Sequence, residues 1–271
     1  MKRRQITLFF SSLLLPLLVS ILPQSILPAK NFVAPSALAQ SPSLLIGAVS
    51  SLEAALQEVD FLFKAANTGI AVTYSFASSG ALQQQIEQTK PIDVVISDAS
   101  KQMNVWQQKQ LILPDTRQDL LTNRLVLIVP EGAEVGLSSF RQLTNPAIKR
   151  IAIGDPRNVA AGQYAKEVLE NLGIWGRVQP KFILGSSVRN VLELVETGKA
   201  DAGIVYETDA KASNKVKQVA TAPKNSHSAI VYSVAVIRAS RDQNAARSYT
   251  KFLGSKEAQT IFKNYGFGLI N

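Results

Sequence analysis

Short β-branched apolar runs recur along this chain with amphipathic segments between them, and that rhythm restricts the possible folds more than any other feature. Leu44–Val49, Ala71–Phe76, Asp93–Ser97, Leu125–Pro130, Arg150–Gly154 and Ala202–Tyr206 have the length and composition of buried strands. Between them, Leu52, Ala55, Leu56, Val59 and Phe63 recur at helical spacing, as do Val168, Leu169 and Leu172, and then Val191, Leu192 and Val195. Strand and helix alternating in this way predict an α/β fold with mainly parallel sheets flanked by helices. No repeat, low-complexity tract or long linker interrupts the pattern.

The N-terminus stands apart. Lys2, Arg3 and Arg4 precede an apolar stretch from Ile6 to about Leu27, and Ala37-Leu38-Ala39 offers small residues to a signal peptidase. The stretch is long enough to span a membrane, but Pro16, Pro23 and Pro28 interrupt it. Residues 1–39 are therefore expected to be an export signal, cleaved near Ala39. The chain has no cysteine, so no disulfide staples the fold and no lipid anchor can be attached through one. The exported protein is expected to be free in a periplasm.

Of the 29 basic residues, the signal holds four and none of the 20 acidic ones, so the whole-chain charge of +9 falls to 25 minus 20, or +5. That balance suits an anionic ligand, but the basic residues are scattered singly, without the clustered footprint of a nucleic-acid binder. Some roughly 230 residues remain after cleavage, 46% of the whole chain being hydrophobic, enough for two lobes with their own cores and no cofactor. No Gly-x-Ser-x-Gly nucleophile elbow is present, and the single histidine cannot build a metallohydrolase centre, so the sequence points to binding rather than catalysis.

Four strand-to-helix junctions carry small or hydroxyl residues: Ser50-Ser51, Ser78-Ser79-Gly80, Ala160-Ala161-Gly162 and Ser186-Ser187-Val188. The first turn of a helix leaves backbone N–H groups unpaired and carries partial positive charge. Small residues let an anion approach those amides, and serine adds a hydroxyl donor. Taken singly each junction reads as an ordinary N-cap, and Ser50 with Glu53 fits a capping box. Four together, in a fold whose ligands gather at the carboxyl ends of parallel strands, point to an oxyanion site.

At these residues the chain resembles the periplasmic molybdate-binding proteins of ABC importers, from about Leu44 to Phe267. The resemblance is carried, in order, by Ser51-Leu52, by Ser75-Phe76-Ala77-Ser78-Ser79 with Leu82 and Gln85-Ile86, and by Asp93-Val94-Val95-Ile96-Ser97. It continues through Gly154-Asp155-Pro156, Ala161-Gly162 with Tyr164-Ala165-Lys166-Glu167, Val188-Arg189, Gly203-Ile204-Val205-Tyr206 and Tyr265-Gly266-Phe267. It implies a two-lobed type II periplasmic binding protein with a ligand cleft between the lobes. Residues 40–123 are then expected in lobe I, 124–230 in lobe II, and 231–271 in a return to lobe I. The ligand implied is molybdate or tungstate, held by the hydroxyl and amide of Ser51 and Ser79, the amides of Ala161 and Val188, and the hydroxyl of Tyr206. The partner implied is the membrane permease of an ABC importer; a monomer is expected, with no cofactor and no nucleic acid. Sulfate or phosphate is the alternative ligand, since neutral donors of this kind also suit those anions.

Two departures from that family pattern stand out: Ala160, where proline is frequent, and Val49-Ser50, where small alanines are usual. Neither removes a donor. His227 is expected to be a solvated surface group, Trp106 and Trp175 to pack in the core or at its rim, and Asp155 to order the turn it shares with Pro156. Arg189 either pairs with an acidic neighbour or adds to the field at the anion.

Overall fold

The computed structural model describes residues 43–270 apart from 89 and 135. The expected export signal and its cleavage site lie outside those residues. Eleven strands are described: β1 (Ser43–Val49), β2 (Ala71–Ala77), β3 (Val94–Ser97), β4 (Gln118–Thr122), β5 (Leu125–Pro130), β6 (Ile151–Gly154), β7 (Phe182–Gly185), β8 (Ala202–Tyr206), β9 (Val216–Thr221), β10 (Val231–Val236) and β11 (Gly268–Leu269). The helices are α1 (Glu53–Ala66), α2 (Ser79–Glu87), α3 (Ser100–Gln108), α4 (Ala160–Asn171), α5 (Trp175–Val178), α6 (Val188–Glu196), α7 (Glu207–Lys211), α8 (Gln243–Leu253) and α9 (Lys256–Asn264).

The strands form two sheets, ordered β11-β4-β10-β3-β1-β2 and β7-β6-β8-β5-β9. This is the α/β architecture the alternation predicts. The expectation of mainly parallel sheets holds at the heart of each, where β2-β1-β3 and β7-β6-β8 run parallel, and yields elsewhere. β10 is antiparallel to both β3 and β4, β11 to β4, and β5 to both β8 and β9. The reason lies in the connections. Parallel neighbours need a crossover helix to bring the chain back to the same edge, whereas β5 and β10 enter their sheets directly from the other one. Residues 123 and 124 alone link β4 to β5, and residues 222–230 link β9 back to β10.

The apolar stripe of α1 packs as its spacing predicts: Ala55, Leu56, Val59 and Phe63 are buried, with the Phe63 ring edge-on to Tyr249 of α8 at 5.1 Å. Trp106, Tyr206, Tyr232 and Tyr249 are the bulkiest fully buried side chains. Three of these carry hydroxyls, which a core accepts only when they find hydrogen-bond partners. Two of those hydroxyls define the site.

All six parallel strands deliver their carboxyl ends to one region, where the two sheets face each other. Gly80, at the start of α2, shows how close that approach is. Its amide donates to the Asn158 carbonyl of the facing half at 2.9 Å, and a Cβ at this position would stand 2.6 Å from the same oxygen.

Candidate functional site

The four junctions divide into residues that cap and residues that do not. Ser78 caps α2, its hydroxyl accepting from the Ala81 amide at 3.4 Å, and Ser187 caps α6, accepting from the Asn190 amide at 3.1 Å. The capping box expected at Ser50 and Glu53 does not form. Residues 50–52 make a short 3-10 turn, α1 starts after it, and neither has a side-chain cap. Capping is thus carried by the serines beside Ser79 and Val188, and the hydroxyls of Ser51 and Ser79 turn inward.

The Ser79 hydroxyl meets a buried carboxylate. Asp98, immediately after β3, is only 4% exposed. Its Oδ1 accepts from the Ser79 hydroxyl at 2.5 Å and its Oδ2 from the Tyr206 hydroxyl at 2.7 Å, while its backbone carbonyl accepts from the Tyr164 hydroxyl at 3.0 Å. With the Ser79 proton committed to Asp98, the Ser97 hydroxyl, 3.0 Å away, donates to Ser79 Oγ. Ser79 and Asp98 belong to the half built on the first sheet, and Tyr164 and Tyr206 to the other, so these bonds tie the halves together. Tyr232 continues the network: its ring lies edge-on to Tyr206 at 6.0 Å, and its hydroxyl is 3.0 Å from Ser51 Oγ and accepts from Asn123 Nδ2 at 3.1 Å.

Burial pushes the Asp98 carboxyl above its ordinary range, against the pull of its bonds to Ser79 and Tyr206. Burial, followed by the nearby Asp98 charge, also raises Tyr206 and Tyr164, so both phenols remain protonated donors. Asp209, in α7, is buried and raised to about 7, chiefly by desolvation, with the Asp98 charge adding and the Tyr206 backbone and Arg189 opposing. One of its carboxyl oxygens, Oδ2, has no hydrogen-bond partner.

The five residues singled out in the sequence fall into three groups. Ser79 and Tyr206 meet directly on Asp98. Ser51 joins them one step removed, through Tyr232. Ala161 and Val188 are buried in the first turns of α4 and α6, where their amides have no intrahelical acceptor. Tyr164 and the Gly80–Asn158 bond bring the start of α4 to the site, and α6 packs on the turn at residues 50–52. Among the described residues no hydrogen bond joins Ala161 or Val188 to the other three. Beside Ser51 lies a cavity of about 270 Å³, shared with Arg189, Thr208, Asp209 and Tyr265.

Sequence reasoning missed Asp98, Tyr164, Tyr232 and Asn123. His227 is partly exposed, with its ring 5.8 Å from that of Tyr164 and Nδ1 2.7 Å from the Ser228 carbonyl. Trp106 is core, and Trp175 packs on Phe182 at 4.9 Å. Asp155 orders its turn through the Asn158 and Val159 amides, which bond to its carbonyl, and is itself clasped by Arg157. Arg189 is half-exposed, 3.9 Å from Glu193, and also borders the cavity. Among the described residues no group of three or more His, Cys, Asp or Glu could hold a metal ion.

A family profile described as bacterial extracellular solute-binding protein matches residues 44–268. The molybdate-binding protein ModA of Escherichia coli is 39% identical over 241 residues, covering 87% of this chain and 92% of its own. Among solved structures, the substrate-binding domain of a putative molybdenum ABC transporter from Clostridium difficile is 38% identical with a TM-score of 0.66, covering 85% of this chain and all of its own. The periplasmic molybdate-binding protein of Azotobacter vinelandii, 24% identical, shares the fold with a TM-score of 0.76 over 84% of this chain and all of its own.

Proposed function

The chain belongs to the bacterial extracellular solute-binding proteins, and from that membership we propose that it captures molybdate outside the cytoplasm and delivers it to an ABC importer. The function is binding and release, with no bond made or broken. Tungstate, of the same shape and charge, is the other ligand of the site. The relative at 39% identity supports molybdate by its own description, and the structure at 38% identity a molybdenum importer by its own.

The observation that carries this reading is the convergence of hydroxyls from both halves, Ser79 from one and Tyr206 from the other, on a single buried point. A tetrahedral oxyanion presents acceptors in every direction, so it needs donors from both sides of a cleft. Hydrogen bonds to a charged acceptor contribute about 1.5–3 kcal/mol each, and helix first turns add amides without a charged side chain. The donor set proposed is the hydroxyl and amide of Ser51 and of Ser79, the Ala161 and Val188 amides, and the Tyr206 hydroxyl. Each would hold an oxygen of the anion, and none the metal atom. The two lobes proposed are 40–123 with 231–271, and 124–230. The chain is taken to be exported, with a mature start at Gln40, and to work as a monomer in the periplasm beside its permease.

Thermal-shift and calorimetric titration of refolded, anion-free protein against molybdate, tungstate, sulfate and phosphate is the test. Molybdate and tungstate should stabilise the protein most. A larger shift with sulfate or phosphate would replace this reading with the alternative of another tetrahedral oxyanion.

A further inference from the structure

Asp98 places a carboxylate where an anion is to bind, and the donor count shows what that demands. Ser79 and Tyr206 have one hydroxyl proton each, and both are now given to Asp98. An oxyanion oxygen that takes either hydroxyl must displace the carboxylate oxygen or lie beside it. Two deprotonated groups brought together in a dry cleft repel, and the low dielectric strengthens that repulsion. A single proton between them turns the repulsion into an O–H···O bond between acid and anion.

We propose that Asp98 shares one proton with the bound anion, so that a fully deprotonated dianion enters this site only together with a proton. The inference rests on the oxyanion-binding reading above and makes Asp98 a determinant of which anions bind and at what pH. An anion that arrives carrying its own proton, such as hydrogen phosphate, brings the shared proton with it. Molybdate and sulfate bring none, so the proton must already be on Asp98 or be drawn from solvent.

The surroundings of Asp98 leave the shared proton as the means of relief. It faces Ser79 from α2, Ser97 from β3, Tyr164 from α4, Tyr206 from β8 and, further off, Tyr232 from β10. The charged group that acts on it from α7 is Asp209, itself an acid, with Arg189 of α6 beyond. None of the groups that hydrogen-bond to Asp98 is cationic. Burial also raises its carboxyl, the direction that favours holding a proton.

Calorimetry of molybdate binding in buffers of different ionisation enthalpy counts the protons taken up. At pH values above the titration of the Asp98 carboxyl in the free protein, about one proton should be taken up per anion and the Kd should rise about tenfold per pH unit. Asp98→Asn should bind with no proton uptake and with an affinity flat from about pH 6 to 9. Asp209→Asn should still take up about one, which assigns the proton to Asp98. Binding of molybdate by the parent protein without proton uptake and with an unchanged Kd over the whole range from about pH 6 to 10 would overturn the proposal and leave the molybdate reading standing. Retention of uptake in Asp98→Asn would overturn it as well. The count in the parent protein needs no variant, so a folding defect in Asp98→Asn does not remove the test. If the protein takes sulfate but not molybdate, the molybdate reading fails, and the proton count on sulfate decides the role of Asp98 in the same way.

Discussion

Ser79 can serve as a donor because Ser78 beside it takes the capping duty, and variants separate the two roles. Replacing Ser79 or Ser51 with alanine should weaken molybdate binding by about 1.5–3 kcal/mol, roughly ten- to hundredfold in Kd by titration. Ser78→Ala should instead cost about 1 kcal/mol of stability, the usual worth of an N-cap, with affinity little changed. Val188→Ala should be nearly silent, because only its amide is proposed to bind. Asp209 governs a different observable. Its carboxyl, raised from 3.8 to about 7, favours the folded state when protonated. That stability is fully present below about pH 4 and is lost as pH rises through about 7. Asp209→Asn should therefore be more stable than the parent at pH 8, by roughly 2–4 kcal/mol, and should melt with a shallower pH slope between pH 5 and 8. Asp155, Asp201 and Glu207 are shifted the opposite way and matter only at lower pH. At this scale Ser51 and Ser79 stand out in the sequence because they sit at strand-to-helix junctions, Tyr206 stands out only through the family resemblance, and Asp98 does not stand out at all. In Ser97-Asp98-Ala99 it reads as an ordinary turn residue ahead of α3. Its burial arises because β3 lies inside the first sheet and Tyr164 and Tyr206 close over it from more than sixty residues away in sequence. The signal that was present is its place at the carboxyl end of a parallel strand.

Among elements, six strands match their apolar runs almost to the residue: β5 and β8 have the expected bounds, and β1, β2, β3 and β6 differ by one residue at one end. The apolar runs do not reveal β7 and β9. β9 mixes Lys217 and Gln218 with apolar residues, and β7 is four residues long with Leu184 half-exposed. The apolar run near Leu121–Pro130 looks continuous, but the polar pair Asn123-Arg124 splits it into two strands that belong to different sheets. No periodicity in a window of ten residues reports which sheet a strand will join. The start of α2 offers the sharpest test of how elements meet. Gly80→Ala should destabilise the protein, because the clash with the Asn158 backbone outweighs the advantage of about 1 kcal/mol that alanine has over glycine in a helix. Its Cβ collides with the Asn158 carbonyl, so the thermal shift produced by molybdate should shrink markedly. An undiminished shift would show that this approach of the halves is not needed for binding.

For the whole molecule, the bonds of Asp98 and Gly80 to residues of the facing half mean that closure and the proposed binding would draw on neighbouring groups. An anion that bridges the halves stabilises their contact. Solution scattering should show a smaller radius of gyration with saturating molybdate, and an unchanged profile would count against a hinge. The two-residue link at Asn123 and Arg124 is held from both sides. Asn123 Nδ2 donates to Thr208 Oγ1 at 2.9 Å and to Tyr232, and the Arg124 guanidinium grips both Glu207 carboxyl oxygens at 2.6 and 2.8 Å. A joint so short and so well bonded restricts how the halves can move.

The position of β10 between β3 and β4 also sets an order in time. Strands β5 to β9 follow one another without interruption, so the second sheet is complete once residue 221 has been made. The first sheet is not: until Val231–Val236 arrives, β4 has no neighbour on its inner side, and β11 on its outer side comes later still. Pairings this distant in sequence form slowly, because the chain must close a loop of more than a hundred residues between β4 and β10. Pulse-labelled hydrogen exchange during refolding should find the amides of β5 and β8 protected before those of β4 and β10. The cavity lined from both sheets is then the last part of the protein to mature, and a ligand held there would have to wait until nearly all of the chain has been made.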